Sequence, residues 1–318
     1  AGNYQAANYT GLGVPGDALL VDVDDPDIIC NASVMFVPSP ALGADVDGND
    51  VNMEMNFCNQ TVPGRDSGMD NSVLVHEFGH ALIARLIAGP MWMQGTLGNS
   101  QVGAMHEGTG DYLSLIMGMK STSDPGDAIA LGEWYFGDPE GIRRQPYSYD
   151  QAIGGRTFED WNTEDDPSTG IPNVELHQAG EIWASMLYDM TWELIFKYGG
   201  SRDGSAMEIA FNEDLHQAVG RTPTTNQAIL DTGPTSMLGP DLLDLTTGAN
   251  NLAMQLFIDG MKYTFANPTF TDARDGILAA DQALTGGVNH DALWRAFARR
   301  GLGFRADGGI LTTVVPIQ

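Results

Sequence analysis

Residues 71–88 read NSVLVHEFGHALIARLIA, a run in which apolar residues surround an H-E-x-x-H motif. The run predicts a helix that is buried on most sides and ends before Gly89-Pro90. In a helix, His76 and His80 lie on one face about one turn apart, where two neutral imidazole nitrogens can bind one divalent ion. Glu77 then lies beside the ion, where its carboxylate can take a proton from a water molecule. The motif predicts metal-assisted hydrolysis, and the alternative is chance occurrence.

A second stretch, MHEGTGDYLSLI at residues 105–116, supplies further metal-binding groups. Apolar periodicity from Tyr112 predicts a helix whose first turns carry Glu107 and Asp111 on one face. Zinc held by two His needs a third protein ligand, and we expect Glu107 to be that ligand. We expect Asp111 to hold a ligand His in the right tautomer; the alternative is a charge favoured by the helix dipole. His106 is expected to be structural or to face solvent.

The chain of 318 residues has 15 Lys and Arg against 42 Asp and Glu, a net charge of −27. Such a surface repels phosphate backbones and anionic lipids, so we expect neither nucleic-acid nor membrane-surface partners. It suits calcium, a salty medium or cationic substrates, and composition does not choose among these. Because no apolar run reaches about 18 residues, no membrane span is expected.

The first 70 residues contain both cysteines and an acidic turn. A disulfide between Cys30 and Cys58 would fit an oxidising, extracellular compartment, and the alternative is two buried thiols. The stretch DVDGND at residues 45–50 lacks the glycine and the closing glutamate of an EF-hand loop. A looser Ca²⁺ site through Asp45, Asp47 and Asp50 stays open beside a solvated acidic turn.

Four stretches together resemble the fungalysin family of thermolysin-like zinc peptidases, the gluzincins. They are HEFGH (76–80), HEGTGD (106–111), GIRRQPYS (141–148) and LHQAGEIWA (176–184), and the likeness extends over most of residues 1–305. The resemblance implies that His76, His80 and Glu107 bind zinc and that Glu77 is the catalytic base.

The same resemblance assigns roles to residues beyond the zinc helices. His177 opens a third helical pattern and matches by position the family's His that stabilises the oxyanion; the alternative is a core His. Glu175 is expected to orient His177. Arg143 or Arg144 resembles the arginine that binds the substrate carbonyl, and a salt bridge is the alternative for either. The family's edge strand and its substrate-binding Asn are expected to lie outside this chain.

We therefore expect an α+β, two-lobed, thermolysin-like fold with zinc in the cleft. The first part, residues 1–70, is expected to be rich in strands and loops. The second, residues 71–318, is expected to be mainly helical, with an insert at about 201–247. Within it we expect helices at 250–263, 271–284 and 289–300 and a strand at 311–317.

The predicted function is that of a secreted, extracellular zinc endopeptidase acting on proteins or peptides. Because the chain starts at Ala1 without a basic and apolar leader, we interpret it as a mature form. The alternative is a secreted structural or binding protein that keeps zinc for stability. The sequence leaves the oligomeric state open.

Overall fold

A computed structural model describes residues 4, 16, 19–25, 30–37, 50–87, 100–120, 122–161, 175–198 and 248–306. The strands are β1 (Leu19–Asp25), β2 (Ala32–Val37), β3 (Asp50–Cys58) and β4 (Arg65–Asp66). The helices are α1 (Asn71–Leu86), α2 (Ser100–Gly118), α3 (Glu133–Phe136), α4 (Leu176–Lys197), α5 (Ala249–Lys262), α6 (Phe270–Thr285) and α7 (His290–Arg299). The α+β class is confirmed, with strands before residue 70 and helices after it. The division into two lobes stays a prediction.

The sheet is built around β3, which pairs in parallel with β1 and antiparallel with β2. Val51, Met53 and Met55 alternate along β3 and are at most 1% exposed, so one face of the sheet is buried. Among the described residues β2 pairs with β3 alone, which makes β2 an edge strand.

The predicted disulfide is present between Cys30, just before β2, and Cys58, the last residue of β3. It closes a segment of 28 residues in sequence separation. A covalent link across such a segment removes conformational freedom from the unfolded chain, which stabilises this small sheet.

Helix α4 is the centre of the helical part, because its side chains from Ala179 to Ile195 are all buried. It packs against α2, α5 and α7, and α2 in turn packs against α1. Two glycine residues set the distances between α1, α2 and α4. A Cβ atom at Gly79 of α1 would lie 2.5 Å from Gly110 Cα of α2. A Cβ atom at Gly108 of α2 would lie 2.4 Å from a backbone oxygen of α4. The three backbones therefore approach more closely than any larger side chain would allow.

The loop at residues 143–156 is held from two sides. The Glu181 carboxylate of α4 accepts a hydrogen bond from the Arg144 backbone N–H at 2.9 Å. Arg300, which follows α7 and is fully buried, donates to the Ser148 carbonyl at 2.8 Å and to two further carbonyls of the loop. Because these charged groups are paired in the interior, the loop has a fixed position beside α2.

The sequence placed the start of α2 too late. The helix begins at Ser100, so Glu107 and Asp111 lie in its middle and not in its first turns. Buried Val102 and Met105 supply the apolar contacts of the earlier turns. The three helices predicted near the end are confirmed as α5, α6 and α7, with each bound shifted by one residue.

Three expectations fall outside the described residues: the insert at 201–247, the final strand at 311–317 and the calcium ligands Asp45 and Asp47. Within the described part, no helix is both long and apolar enough to cross a bilayer.

Candidate active site and metal centre

Helix α1 presents two imidazole rings to one point. The Nε2 atoms of His76 and His80 lie 3.2 Å apart. The four-residue spacing places both rings on the same face of the helix, as the sequence predicted. The helix is fixed at its start by Asp70, whose carboxylate accepts a hydrogen bond from the Ser72 N–H at 2.9 Å.

Helix α2 adds a carboxylate to this pair. Glu107 Oε2 lies 3.3 Å from His76 Nε2, and Glu107 Oε1 lies 3.7 Å from His80 Nε2. One ligand atom from each residue can be chosen so that all three lie within 4.8 Å of one another. Glu107 Oε2 is buried and has no hydrogen-bond partner, so it is a lone-pair acceptor facing two imidazole nitrogens. Two imidazoles and one carboxylate with a further position open form the donor set of a catalytic zinc site, and the residues fit that metal.

Asp111 stands behind His76 and is fully buried. Its Oδ1 lies 2.6 Å from His76 Nδ1, which leaves His76 Nε2 directed at the metal position. Arg143 donates to the same carboxylate from Nε at 2.7 Å and from Nη2 at 2.8 Å, and the Tyr147 hydroxyl donates a third hydrogen bond. Sequence reasoning missed Tyr147, although it lies in the GIRRQPYS stretch that was singled out.

The charges of the cluster depend on burial and on these partners. Burial lowers the pKa of His76, but the hydrogen bond to Asp111 and the nearby Glu107 carboxylate raise it more, to about 10. Burial lowers the pKa of His80 to about 3. Burial raises the pKa of Glu107, yet His80 and His76 bring it below its ordinary value, so the carboxylate stays ionised. The ionised carboxylates therefore favour a positive charge at the point where the imidazole rings meet them.

Glu77 lies beside the metal position without being part of the ligand group. Its side chain lines the same cleft and is 6% exposed. Burial raises the pKa of Glu77 to about 7. A carboxylate with a pKa near neutrality can both accept and release a proton, as a general base and acid must.

His177 reaches the cluster from the start of α4. Its Nε2 lies 3.5 Å from Glu107 Oε2, and its Nδ1 lies 2.6 Å from Glu175 Oε1. The Glu175 hydrogen bond raises the pKa of His177. Glu175 also caps α4, because its carboxylate accepts the N–H groups of His177 and Gln178. His177 can thus present a protonated Nε2 to the cleft.

The structure separates the two arginines that the sequence left as alternatives. Arg143 lines the cleft, binds Asp111 and places Nη2 3.8 Å from Glu107 Oε2. Arg144 is absent from the lining, and its backbone N–H bonds Glu181. Among the described residues, only Arg143 of this pair is placed to meet a bound molecule.

The expectation that His106 faces solvent is wrong. The ring is 6% exposed, lies 5.9 Å from the His80 ring in a stacked arrangement, and lines the cleft. Its position on α2 turns it toward α1, against which α2 packs. Burial lowers the pKa of His106 to about 4, so the ring is neutral at physiological pH.

This neutral His106 predicts a pH-dependent loss of stability. Its folded pKa is about 4 against an ordinary value of 6.5. As the pH falls below 6.5, His106 binds a proton in the unfolded chain but stays neutral in the folded chain. The free energy of unfolding therefore declines until about pH 4. The total loss is up to about 3 kcal/mol. We expect His106→Phe, which cannot titrate, to show a correspondingly shallower decline.

The measurement is chemical denaturation of both proteins between pH 7 and 4, with the metal chelated so that its release does not contribute. Equal slopes for the parent and His106→Phe would contradict the prediction.

The cluster lies in a cleft with a volume of about 390 Å³. Asn31 and the first residues of β2 form one rim, so an edge strand with an Asn at its start does lie at the cleft. The expectation that this element lies outside the chain is wrong. The sequence signalled a strand here, since Asn31 precedes an apolar run, but it did not signal that the strand lies at the edge of the sheet. Four apolar side chains line a further wall: Val73, Leu131, Phe136 and Ile142.

Comparison with known proteins gives one family. The family model described as fungalysin metallopeptidase (M36) matches residues 1–306. The chain is 33% identical over 306 residues to an extracellular metalloproteinase of Pyrenophora tritici-repentis, covering 96% of this chain and 39% of the relative. It is 32% identical over 303 residues to the extracellular metalloproteinase MEP of Pyricularia oryzae, covering 95% and 40%. It is 33% identical over 307 residues to the extracellular metalloproteinase mep of Aspergillus terreus, covering 96% and 40%. The chain thus spans about two fifths of the length of these relatives.

Proposed function

Because the chain belongs to the fungalysin (M36) family of metallopeptidases, we propose that it is a zinc endopeptidase that cleaves internal peptide bonds of proteins. One observation carries the proposal: the ligand atoms of His76, His80 and Glu107 meet within 4.8 Å in a cleft that Glu77 also lines. The alternative is a structural protein that keeps zinc for stability. It does not explain Glu77, since structural zinc sites are closed by four ligands and need no base beside the metal.

His76, His80 and Glu107 would hold the zinc ion. When bound, zinc supplies Lewis-acid polarisation of the scissile carbonyl and makes a neighbouring water molecule more acidic. Asp111 keeps His76 in the tautomer that offers Nε2, and Arg143 and Tyr147 keep Asp111 ionised and in place.

Glu77 acts as the general base. Its carboxylate accepts a proton from the water that attacks the carbonyl carbon, and it then delivers that proton to the departing amine. Burial raises the pKa of Glu77 to about 7, which lets the carboxyl group hold the proton between the two transfers.

His177 and Arg143 stabilise charge on the substrate. A protonated His177 Nε2 donates a hydrogen bond to the oxygen on which negative charge develops, while Glu175 fixes the ring through Nδ1. Arg143 donates from Nε and Nη2 to Asp111, and because it also lines the cleft its guanidinium can bind a substrate carbonyl.

The substrate is proposed to be an extended peptide. The side of β2 that pairs with no strand among the described residues can add a peptide strand through main-chain hydrogen bonds, and Asn31 can bond the peptide with its side-chain amide. The wall formed by Val73, Leu131, Phe136 and Ile142 favours a large apolar side chain next to the cleaved bond. Relatives named as extracellular proteins and the Cys30–Cys58 disulfide support secretion into an oxidising medium.

Metal removal tests the proposal directly. The chain as purified is expected to clear casein in a zymogram and to contain one zinc ion per chain. A chelator should abolish clearing, and one equivalent of zinc should restore it. Calcium alone should not restore clearing, because two imidazoles are poor ligands for that ion. A zinc-loaded, folded chain that leaves casein intact would favour the structural alternative.

A further inference from the structure

The start of strand β2 is held at the cleft by a disulfide and by the side chain of Tyr135. Asn31 lies on the rim of the cleft and connects Cys30 to the first residue of β2. The disulfide to Cys58 fixes Cys30 to the end of β3. Cys30 has φ = 56°, a left-handed conformation that residues with a side chain rarely adopt, so the covalent bond holds a turn that the chain alone would not favour.

Tyr135 of α3 supplies a hydrogen bond beside the disulfide. Its hydroxyl lies 3.1 Å from the Asn31 carbonyl and 3.0 Å from the Asn56 carbonyl of β3, so its single proton can be donated to either. Burial raises the pKa of Tyr135 to about 12, so the hydroxyl stays a donor at neutral pH. The ring is fully buried and packs with Val73 of α1 in the small core beneath the sheet.

The backbone of Tyr135 reaches the other wall of the cleft. Its N–H donates to Asp70 Oδ2 at 2.9 Å, and Asp70 is the cap from which the metal-binding helix α1 starts. One residue therefore joins the rim that would bind the peptide to the helix that carries His76 and Glu77. The next residue, Phe136, lines the apolar wall.

We propose that Tyr135 and the Cys30–Cys58 disulfide are positioning residues for substrate binding, which hold β2 and Asn31 at the distance from α1 that an extended peptide requires. This inference rests on the proposed function and deepens it. Neither group touches the metal ligands, so their loss should weaken peptide binding and leave zinc binding and the chemical step intact. Reduction of the disulfide then converts the enzyme to a form of low affinity.

The first test is Tyr135→Phe, which keeps the ring and removes the hydroxyl. We expect KM for an internally quenched peptide to rise about three- to tenfold, the effect of one hydrogen bond on binding, with kcat and zinc content unchanged. The matched control is Tyr112→Phe. Tyr112 is equally buried and also bonds through its hydroxyl, 3.1 Å from Thr191 Oγ1, but in the helical part. Its KM should equal that of the parent.

The second test is the double variant Cys30→Ala with Cys58→Ala, assayed at a temperature at which circular dichroism shows it folded. We expect a rise in KM at least as large as that of Tyr135→Phe, again with kcat and zinc content retained. Should this variant not fold, Tyr135→Phe decides the question.

Unchanged KM in Tyr135→Phe, or a fall in kcat or zinc content at constant KM, overturns the inference, because a merely structural role reduces the active fraction and spares KM. A parent chain that contains zinc and cleaves no peptide overturns the proposed function itself and the inference with it. The two failures are therefore distinguished by the parent's own activity.

Discussion

Glu77→Gln is expected to lower kcat for peptide hydrolysis by about 10³-fold while the protein still binds one zinc ion per chain. Glutamine has the shape of glutamate but cannot accept the proton of the attacking water. Since Glu77 lies outside the group formed by His76, His80 and Glu107, its replacement leaves the metal donors untouched. The two readouts should therefore separate: metal content stays and turnover is lost.

The measurement combines kcat on a peptide substrate with zinc content by atomic absorption. The matched control is Glu133→Gln, which makes the same change at an exposed position of α3 away from the cleft lining and should keep full activity. Digestion of casein by Glu77→Gln at the parent's rate would rule out the proposed mechanism.

Gly110→Ala is expected to disrupt the metal centre on the side of His76 that faces α2. A Cβ atom at Gly110 would lie 2.5 Å from His76 Nδ1 and 2.7 Å from the His76 carbonyl oxygen. To relieve that overlap α1 must move away from α2, which breaks the bond between His76 Nδ1 and Asp111. We expect the free energy of unfolding to fall by about 1–3 kcal/mol and the zinc affinity to fall by about 10–100-fold.

The control is Gly118→Ala at the end of the same helix, where an added Cβ would meet nothing within 4 Å. Alanine favours helix over glycine by up to about 1 kcal/mol, so this variant should be as stable as the parent or slightly more stable. Thermal unfolding of the metal-free proteins and zinc competition with a chelator measure both effects. Equal zinc affinity in the two variants would show that the close approach of Gly110 to His76 does not set the geometry of the site.

The metal-binding candidates were the easiest part to predict from the sequence. The His76–His80 spacing follows from the helix period, and Glu107 follows from the need for a third ligand on a neighbouring helix. Such arguments use periodicity and coordination chemistry, which are local properties. The types and spacing of these residues were therefore enough to propose the ligand set before any contact between the helices was known.

The remaining features depend on contacts between distant segments. Arg143 and Arg144 are adjacent in sequence, and only the fold of the loop decides which one reaches Asp111. His106 is next to Glu107 in sequence and was therefore expected to point away from the site, whereas the packing of α2 against α1 places its ring beside His80. The value of Asn31 as a rim residue depends on β2 being an edge strand, a fact of sheet topology that no pattern in the strand itself expresses.

The loop at residues 143–156 is held by Arg300, a residue that is synthesised much later than the loop itself. The ribosome delivers Arg300 more than 140 residues after that loop, yet its guanidinium bonds three of the loop's carbonyls. Until Arg300 has left the ribosome, the segment that presents Arg143 and Tyr147 to Asp111 lacks this support. The nascent chain therefore contains its H-E-x-x-H sequence long before the site around it can be completed, and we expect the proposed hydrolytic activity to arise late in synthesis.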